Sequence, residues 1–219
     1  MKKIIQLSQL EALIKENATL AIGGFLGVGT PEALVSLIVE KEVKNLTVIG
    51  NDTSFQDKGI GRLIVNRLVK KVIVSHIGTN PETGRQMNQG ELEVELIPQG
   101  TLAERLRCGG AGLGGVLTPT GLGTIAAEDK TILEVDGKNY LLEKPLRAEV
   151  ALIKANKADK AGNLICRRTS KNFNPVMAMA ADTVIAEVDL IVDAGELDPD
   201  EVTVPGIFVD YIFLSEKGA

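Results

Sequence analysis

Between residues 19 and 75, short apolar runs alternate with segments of helical periodicity. The apolar runs have the length of strands and lie at Thr19–Ile22, Leu46–Ile49 and 72–75, while helices are predicted over 30–42 and 59–69. Strands that alternate with helices are typical of βαβ units, in which successive strands lie parallel in one sheet. This pattern predicts an α/β fold with a mostly parallel sheet flanked by helices.

The first of these strands runs into a glycine-rich turn, Gly23 to Gly29, and a helix begins directly after it. We predict Thr30 at the N-cap, Pro31 at the first helical position and Glu32 in the first turn. A turn of this kind places backbone N–H groups beside a helix N-terminus, where an anion can bind. The residues match neither Walker A nor GxGxxG, so an anion site and a tight βα turn without a ligand both remain open.

Other patterns along the chain predict the remaining elements. A helix is expected over 4–17, and a strand over 91–96 whose alternation puts carboxylates on one face. The Asp136-Gly137 pair between two apolar runs predicts a hairpin over 131–143, embedded in the fold. The other predicted elements are a helix from Thr101 to Cys108, a loop from Gly109 to Gly123, strands over 150–153 and 183–188, and a helix over 175–181.

Composition limits the class of protein. The chain has 219 residues and a net charge of −5, and 3% of its residues are aromatic. An acidic chain with few aromatic rings argues against nucleic-acid binding, and the lack of a long apolar run argues against a membrane span. No linker or repeat interrupts the chain, so we predict one domain over residues 1–219. Two distant cysteines fit a reducing compartment, and we predict a cytoplasmic location.

A single histidine, His76, limits the chemistry that the chain can carry on its own. A zinc site with two histidine ligands is excluded, and we predict no metal site. His76 and Gln99 each follow a predicted strand, so both are candidates for the sheet edge where α/β proteins bind ligands. The alternative for His76 is a purely structural role, and the alternative for Gln99 is that it only forms part of a turn.

Two further groups of residues resemble functional motifs without meeting their requirements. The segment Gly110 to Gly115 spells GxGxxG, but it lacks the preceding strand and the following helix of a dinucleotide site. Glu91, Glu93 and Glu95 lie along one face of a predicted strand. Because such a row of carboxylates is more often solvated or interfacial than catalytic, we assign it no catalytic role.

Three blocks of sequence, in order, resemble the family I CoA-transferases and in particular their α subunit. The first is Gly23-Gly24-Phe25 followed by Gly29 and Pro31, which reproduces the pattern GGFxxxGxP. The second begins at Pro98-Gln99-Gly100, and the third is Asn172-Phe173-Asn174-Pro175. The resemblance spans nearly the whole chain. It implies the CoA-transferase fold, which sugar-phosphate isomerases share.

The resemblance implies a mechanism and a site. In this family a glutamate of the β subunit attacks an acyl-CoA thioester, passes through an acyl-glutamyl anhydride and becomes a glutamyl-CoA thioester. A second carboxylic acid then discharges that thioester. By the same resemblance Gln99 is the oxyanion donor of the α subunit, and CoA is a substrate with no tightly bound cofactor. The implied CoA contacts are Gly24, Phe25, Leu26, Gly27, Val28, Gly29 and Thr30.

The resemblance also implies a partner, a β subunit that carries the nucleophilic Glu in a heterotetramer of two α and two β subunits. The nucleophile motif is of the Ser-Glu-Asn-Gly type, and the near match Ser215-Glu216-Lys217-Gly218 lacks the Asn, so we treat it as coincidence. The implied acids are acetate, butyrate and acetoacetate. The alternatives are a sugar-phosphate isomerase of the same fold, active as a single chain, and a non-catalytic effector-binding module.

Overall fold

The structure is a computed structural model that describes residues 3–10 and 12–215. Its strands, in chain order, are β1 Lys3–Ile4, β2 Thr19–Ile22, β3 Leu46–Ile49, β4 Val69–Val74, β5 Glu93–Leu96, β6 Val116–Thr118, β7 Ile132–Val135, β8 Lys138–Glu143, β9 Ala148–Asp159, β10 Leu164–Ile165, β11 Ala181–Val192 and β12 Tyr211–Leu214. Within these residues, eight strands form a parallel sheet in the order β1-β12-β11-β9-β2-β3-β4-β5. Strand β10 pairs antiparallel with β9.

Helices cover both faces of this sheet. They are α1 Leu7–Leu10, α2 Glu32–Glu40, α3 Ile60–Val65, α4 Pro81–Asn88, α5 Gln99–Ala111 and α6 Asn174–Met179. Helices α2 and α3 contribute to the apolar core on one face, and α5 and α6 contribute to the core on the other. The predicted α/β fold with a mostly parallel sheet flanked by helices is therefore confirmed.

Successive residues of the central strands point into opposite cores. In β2, Leu20 and Ile22 lie in the core with α2 and α3, whereas Ala21 lies in the core with α5 and α6. Leu152 and Ile153 of β9 divide between the two cores in the same way. A strand that is buried on both faces needs apolar side chains at every position, which explains the unbroken apolar runs in the sequence.

The predicted hairpin is present and belongs to a second sheet. Strands β7 and β8 pair antiparallel, and β6 joins the other side of β8. Asp136 and Gly137, between β7 and β8, have φ angles of 53° and 72°. Two positive φ angles are characteristic of the type I′ turn that Asp-Gly favours.

The N-terminal prediction of one helix over 4–17 is wrong. Residues 3–4 form β1, which pairs with β12, and the helix is reduced to Leu7–Leu10. Leu10 and Ile14 are nevertheless buried in the core, which accounts for the helical spacing of the apolar residues. Pairing with a strand more than 200 residues away in sequence thus overrides the local periodicity.

The prediction of a loop from Gly109 to Gly123 is also wrong in part. Gly109 and Gly110 belong to α5, where an added Cβ would overlap the Leu146 carbonyl oxygen and Met179 respectively. These glycines allow close packing of the helix. Gly112 caps α5 with a φ of 68°, and residues 116–118 form β6. None of the helices in the described part of the chain has the length and apolar character needed to cross a bilayer.

Candidate active site

The candidate site lies at the carboxyl edge of the parallel sheet, where neighbouring strands end side by side. The glycine turn follows β2, Asn51 follows β3, Ser75 follows β4, and Gln99 follows β5. Parallel strands bring such strand-end residues to the same edge, as predicted for Gln99. Asn51 and Ser75 are residues that the sequence analysis did not single out.

Gln99 is held by a direct hydrogen bond across the edge. Its Nε2 donates to Oδ1 of Asn51 at 2.6 Å, and the Ser75 hydroxyl donates to the Asn51 carbonyl oxygen at 2.7 Å. Asn51 is fully buried, whereas Gln99 is exposed. Among the described residues, the second amide hydrogen of Gln99 has no partner, so it can donate to a bound molecule.

A second contact connects this amide pair to the glycine turn. Asn51 Nδ2 donates to Oδ2 of Asp52 at 2.8 Å, and the same oxygen accepts the Leu26 N–H at 3.0 Å. Its other oxygen accepts the Ser54 N–H at 2.6 Å. The buried Asp52 carboxylate therefore fixes the turn and the amide pair relative to each other.

The turn itself is a two-residue hairpin. Phe25 and Val28 exchange backbone hydrogen bonds of 3.0 and 2.9 Å around Leu26 and Gly27. Both central residues have positive φ, 49° for Leu26 and 82° for Gly27. A leucine rarely adopts this conformation, which costs on the order of 1–2 kcal/mol. The hydrogen bond from Leu26 to Asp52 stabilises it.

The third sequence block supports the turn from the opposite side. Asn172 Nδ2 donates to the Val28 carbonyl at 2.9 Å, and Asn174 Nδ2 donates to the Gly29 carbonyl at 3.0 Å. Oδ1 of the fully buried Asn174 accepts the Lys154 N–H of β9 at 2.9 Å. All three blocks that resemble the CoA-transferases thus meet in one region of the structure.

The start of α2 differs from the prediction. The helix begins at Glu32 with Pro31 at the N-cap, so Thr30 is neither N-cap nor helical. The Ala33 and Leu34 N–H groups donate to Oε2 of the buried Glu187 at 2.9 and 3.2 Å. Because a carboxylate of the chain itself already caps this helix N-terminus, the helix does not supply the anion site considered for the turn.

What the turn does offer is a set of free backbone donors and two apolar side chains. The N–H groups of the half-buried Gly27 and Gly29 have no hydrogen-bond partner among the described residues, and neither do those of the buried Gly24 and Thr30. The side chains of Phe25 and Val28 are 43% and 50% exposed. The turn can therefore bind a ligand that has both hydrogen-bond acceptors and apolar chain.

The remaining candidates are placed as follows. The backbone of His76 pairs with Asp52 at the same edge, and its exposed side chain has no hydrogen-bond partner among the described residues. Glu93 and Glu95 both pair with Lys71, at 2.8 and 3.0 Å. Burial acts to raise the pKa of Glu95, but Lys71 and Arg105 outweigh it and hold that pKa below its usual value. The carboxylate row is a set of ion pairs.

Neither a nucleophile motif nor a metal site is found among the described residues. Glu216, Lys217 and Gly218 of the near match to the nucleophile motif lie outside the described residues. In residues 3–10 and 12–215 no group of three or more His, Cys, Asp or Glu side chains could hold a metal ion.

Comparison with known proteins gives consistent results. The family model described as coenzyme A transferase matches residues 6–215. The chain is 53% identical to the acetate CoA-transferase subunit alpha of Escherichia coli K12, over 98% of both chains. It is 51% identical to the acetoacetyl-CoA:acetate/butyrate CoA transferase alpha subunit of Clostridium acetobutylicum, over 96% of both chains.

A solved structure shows the same fold in a longer chain. The apoenzyme of the acyl-CoA transferase YdiF from Escherichia coli O157:H7 superimposes with a TM-score of 0.85 at 23% identity. The match covers 98% of this chain and 47% of the YdiF chain, so this chain spans about half the length of that protein.

Proposed function

The chain belongs to the coenzyme A transferase family and is an α subunit, and on that premise we propose its substrates and its part in the reaction. It forms one wall of a site that moves CoA from a short-chain acyl-CoA to a carboxylic acid of the acetate, butyrate or acetoacetate type. The alternative functions of sugar-phosphate isomerase and effector-binding module are not supported. The relatives that this chain matches over most of their length are CoA-transferase subunits.

One observation carries this proposal. A continuous set of hydrogen bonds runs from the exposed amide of Gln99 through Asn51 and Asp52 to the Leu26 N–H of the glycine turn. An amide donor and the glycine turn are thus held at a fixed separation. A thioester substrate needs both, because its carbonyl must be polarised while the rest of CoA is held in place.

The reaction divides between two chains. A glutamate carboxylate of the β subunit attacks the acyl-CoA carbonyl, the C–S bond of the tetrahedral adduct breaks, and CoA leaves as a thiolate, so that an acyl-glutamyl anhydride remains. The thiolate attacks the glutamyl carbonyl and releases the first acid, and an acceptor carboxylate reverses both steps. The free N–H of Gln99 stabilises the oxyanion that forms at each attack, worth about 3 kcal/mol.

The partner and the cofactor follow from the same division of roles. The β subunit supplies the glutamate, and the assembly is a heterotetramer of two α and two β subunits in the cytoplasm. CoA enters as a substrate, with no tightly bound cofactor. The exposed Phe25 and Val28 support contact of residues 24–30 with CoA, since the pantetheine arm has apolar methyl groups beside its amides.

The division of roles predicts that the isolated α chain has no transferase activity. No glutamate of this chain occupies the nucleophile motif, so acyl exchange needs the partner. Purified α chain, purified β chain and the reconstituted pair should be compared for CoA exchange between acetyl-CoA and butyrate. Activity should require both chains and coincide with a stable complex on size-exclusion chromatography. Turnover by rigorously pure α chain would contradict the proposal.

Contact of the turn with CoA predicts that Gly27→Val raises the KM for acetyl-CoA by about tenfold in the assembled enzyme. The nearest atoms to an added Cβ are those of the flexible Lys58 side chain, at 3.3 Å, so the side chain has room, and the φ of 82° adds backbone strain. The branched side chain would cover the free N–H groups of the turn, and each lost hydrogen bond costs about 0.5–1.5 kcal/mol.

A matched control separates this effect from backbone strain. Gly90 has a φ of 71°, and an added Cβ meets nothing within 4 Å, so Gly90→Val imposes similar strain outside the site. Both variants should lower the melting temperature by a few degrees, and only Gly27→Val should raise KM. Equal KM values in the two variants would remove the turn from the CoA site.

A further inference from the structure

Two adjoining cavities lie beside the glycine turn and share the side chains of Arg167 and Arg168. The nearer one, of about 570 Å³, is lined also by residues 28–30 of the turn. The farther one, of about 750 Å³, is lined also by Lys157 and Lys171. We term the two cavities together the basic groove. Each has the size of a typical small-molecule site, about 300–1,000 Å³.

Arg167 and Arg168 differ from the other arginines of the described chain in having no ion-pair partner. The six arginines that do pair with a carboxylate are Arg62, Arg67, Arg85, Arg105, Arg107 and Arg147. Lys157 and Lys171 likewise make no ion pair among the described residues. In a chain with a net charge of −5, four neighbouring cations that make no ion pair among the described residues make the groove a local region of positive potential.

The backbone holds these arginines against the glycine turn. The Arg167 N–H donates to Oδ1 of Asn156 at 2.8 Å, and Arg168 has a φ of 52°, which is uncommon for a large side chain. Four residues on, Asn172 donates to the Val28 carbonyl of the turn. The arginine segment and the turn are therefore parts of one fixed surface, and such backbone conformations occur often at ligand sites.

The acidic groups that face the groove do not cancel its charge. Asp200 and Glu201 line the farther cavity opposite the cations. Lys154 lines the nearer cavity, but its ammonium group is paired with Asp189 at 2.7 Å and with Glu187 at 3.3 Å. The unpaired groups of the groove therefore comprise four cations and two carboxylates, and the arginines lie at the junction of the two cavities.

We propose that the basic groove binds the phosphates of the nucleotide end of CoA, an inference that rests on the proposed transferase function. Guanidinium groups bind phosphate through paired, charge-assisted hydrogen bonds, and two adjacent arginines suit a ligand that carries several phosphates. With pantetheine along the turn, the nucleotide extends into the groove. The α subunit then holds the end of CoA that does not react.

The test removes the two charges without removing the side chains. Arg167→Gln combined with Arg168→Gln should raise the KM for acetyl-CoA at least about tenfold in the assembled enzyme, with kcat within about twofold of wild type. Kinetics with acetyl-pantetheine, which lacks the nucleotide, should be unchanged by the double variant. The control, Arg107→Gln with Lys138→Gln, removes the same charge from the surface elsewhere and should leave both substrates unaffected.

Binding of adenosine 3′,5′-bisphosphate to the assembled α–β complex, measured by calorimetry, provides a readout that is independent of turnover. Wild type and control should bind it, and the Arg167/Arg168 double variant should bind it at least about tenfold more weakly. Equal binding and equal KM would overturn the proposal. Dissociation of the complex in the double variant would also overturn the proposal, because it would show that the groove is a contact surface for the β subunit. If the wild-type complex binds the bisphosphate through these arginines but transfers no acyl group, the proposed function is refuted. The assignment of the groove as a phosphate site then stands.

Discussion

Replacing Gln99 with alanine in the assembled enzyme is expected to lower kcat by about 100-fold or more. The free N–H of Gln99 acts on charge that develops in the transition state, so its loss affects the rate more than ground-state binding. Gln99 is exposed, and within the described part of the chain its side chain makes one hydrogen bond, to Asn51, so the melting temperature should change little. Paired measurements of kinetics and thermal unfolding test this expectation.

Gln89→Ala is a matched control, since Gln89 is also exposed and bonded to a single side chain, that of Arg85. Gln89→Ala should change neither kcat nor the melting temperature. A loss of melting temperature without a loss of rate in Gln99→Ala would show that Gln99 only supports the turn at Pro98. If neither quantity changed, the oxyanion donor would have to be sought at His76 or between Gly109 and Gly123.

Replacing Glu187 with alanine is expected to destabilise the subunit by about 3–5 kcal/mol. The change removes the acceptor of the Ala33 and Leu34 N–H groups and one of the two carboxylates that neutralise Lys154. Breaking a buried, hydrogen-bonded charge pair typically has a cost of this size. Urea unfolding of the α subunit would measure the loss directly, and total stabilities of about 5–15 kcal/mol make it large.

Asp189→Ala is the comparison that isolates the helix cap. Asp189 also pairs with Lys154, but its side chain is 32% exposed and accepts no N–H of α2. Asp189→Ala should lower the free energy of unfolding clearly less than Glu187→Ala does. Glu187→Gln, which retains an oxygen acceptor, should give an intermediate loss. Equal losses for Asp189→Ala and Glu187→Ala would mean that the cap of α2 contributes nothing measurable.

The sequence predicts the central strands well because their signal is local. Strands β2 and β3 have the predicted bounds, since burial on both faces makes every residue of a short run apolar. Strand β12 and the N-terminal strand β1 were missed. The pairing partner of β1 is far away in sequence, and a two-residue strand has no pattern of its own.

The candidate site was predictable only in part, because some of its contacts join residues that are far apart in sequence. Gln99 and the glycine turn could be identified because each follows a strand and belongs to a recognisable block. Asn51 and Asp52 also follow a strand directly, and this position was the available signal for them. Nothing near Glu187 in the sequence indicates that it caps a helix more than 150 residues earlier. Such contacts arise only when the sheet is assembled.

The pairing of β1 with β12 has a consequence for how the chain folds during synthesis. Strands β2 to β5 are neighbours in sequence and in the sheet, so this half can form early. The edge of β11, in contrast, stays open until residues 211–214 are made, and only then can β1 join β12. At about 5–20 residues per second, a ribosome needs roughly 10–40 s to make the intervening chain. Completion of the sheet thus has to wait until residues 211–214 have been made, and until then apolar β11 has only β9 to pair with.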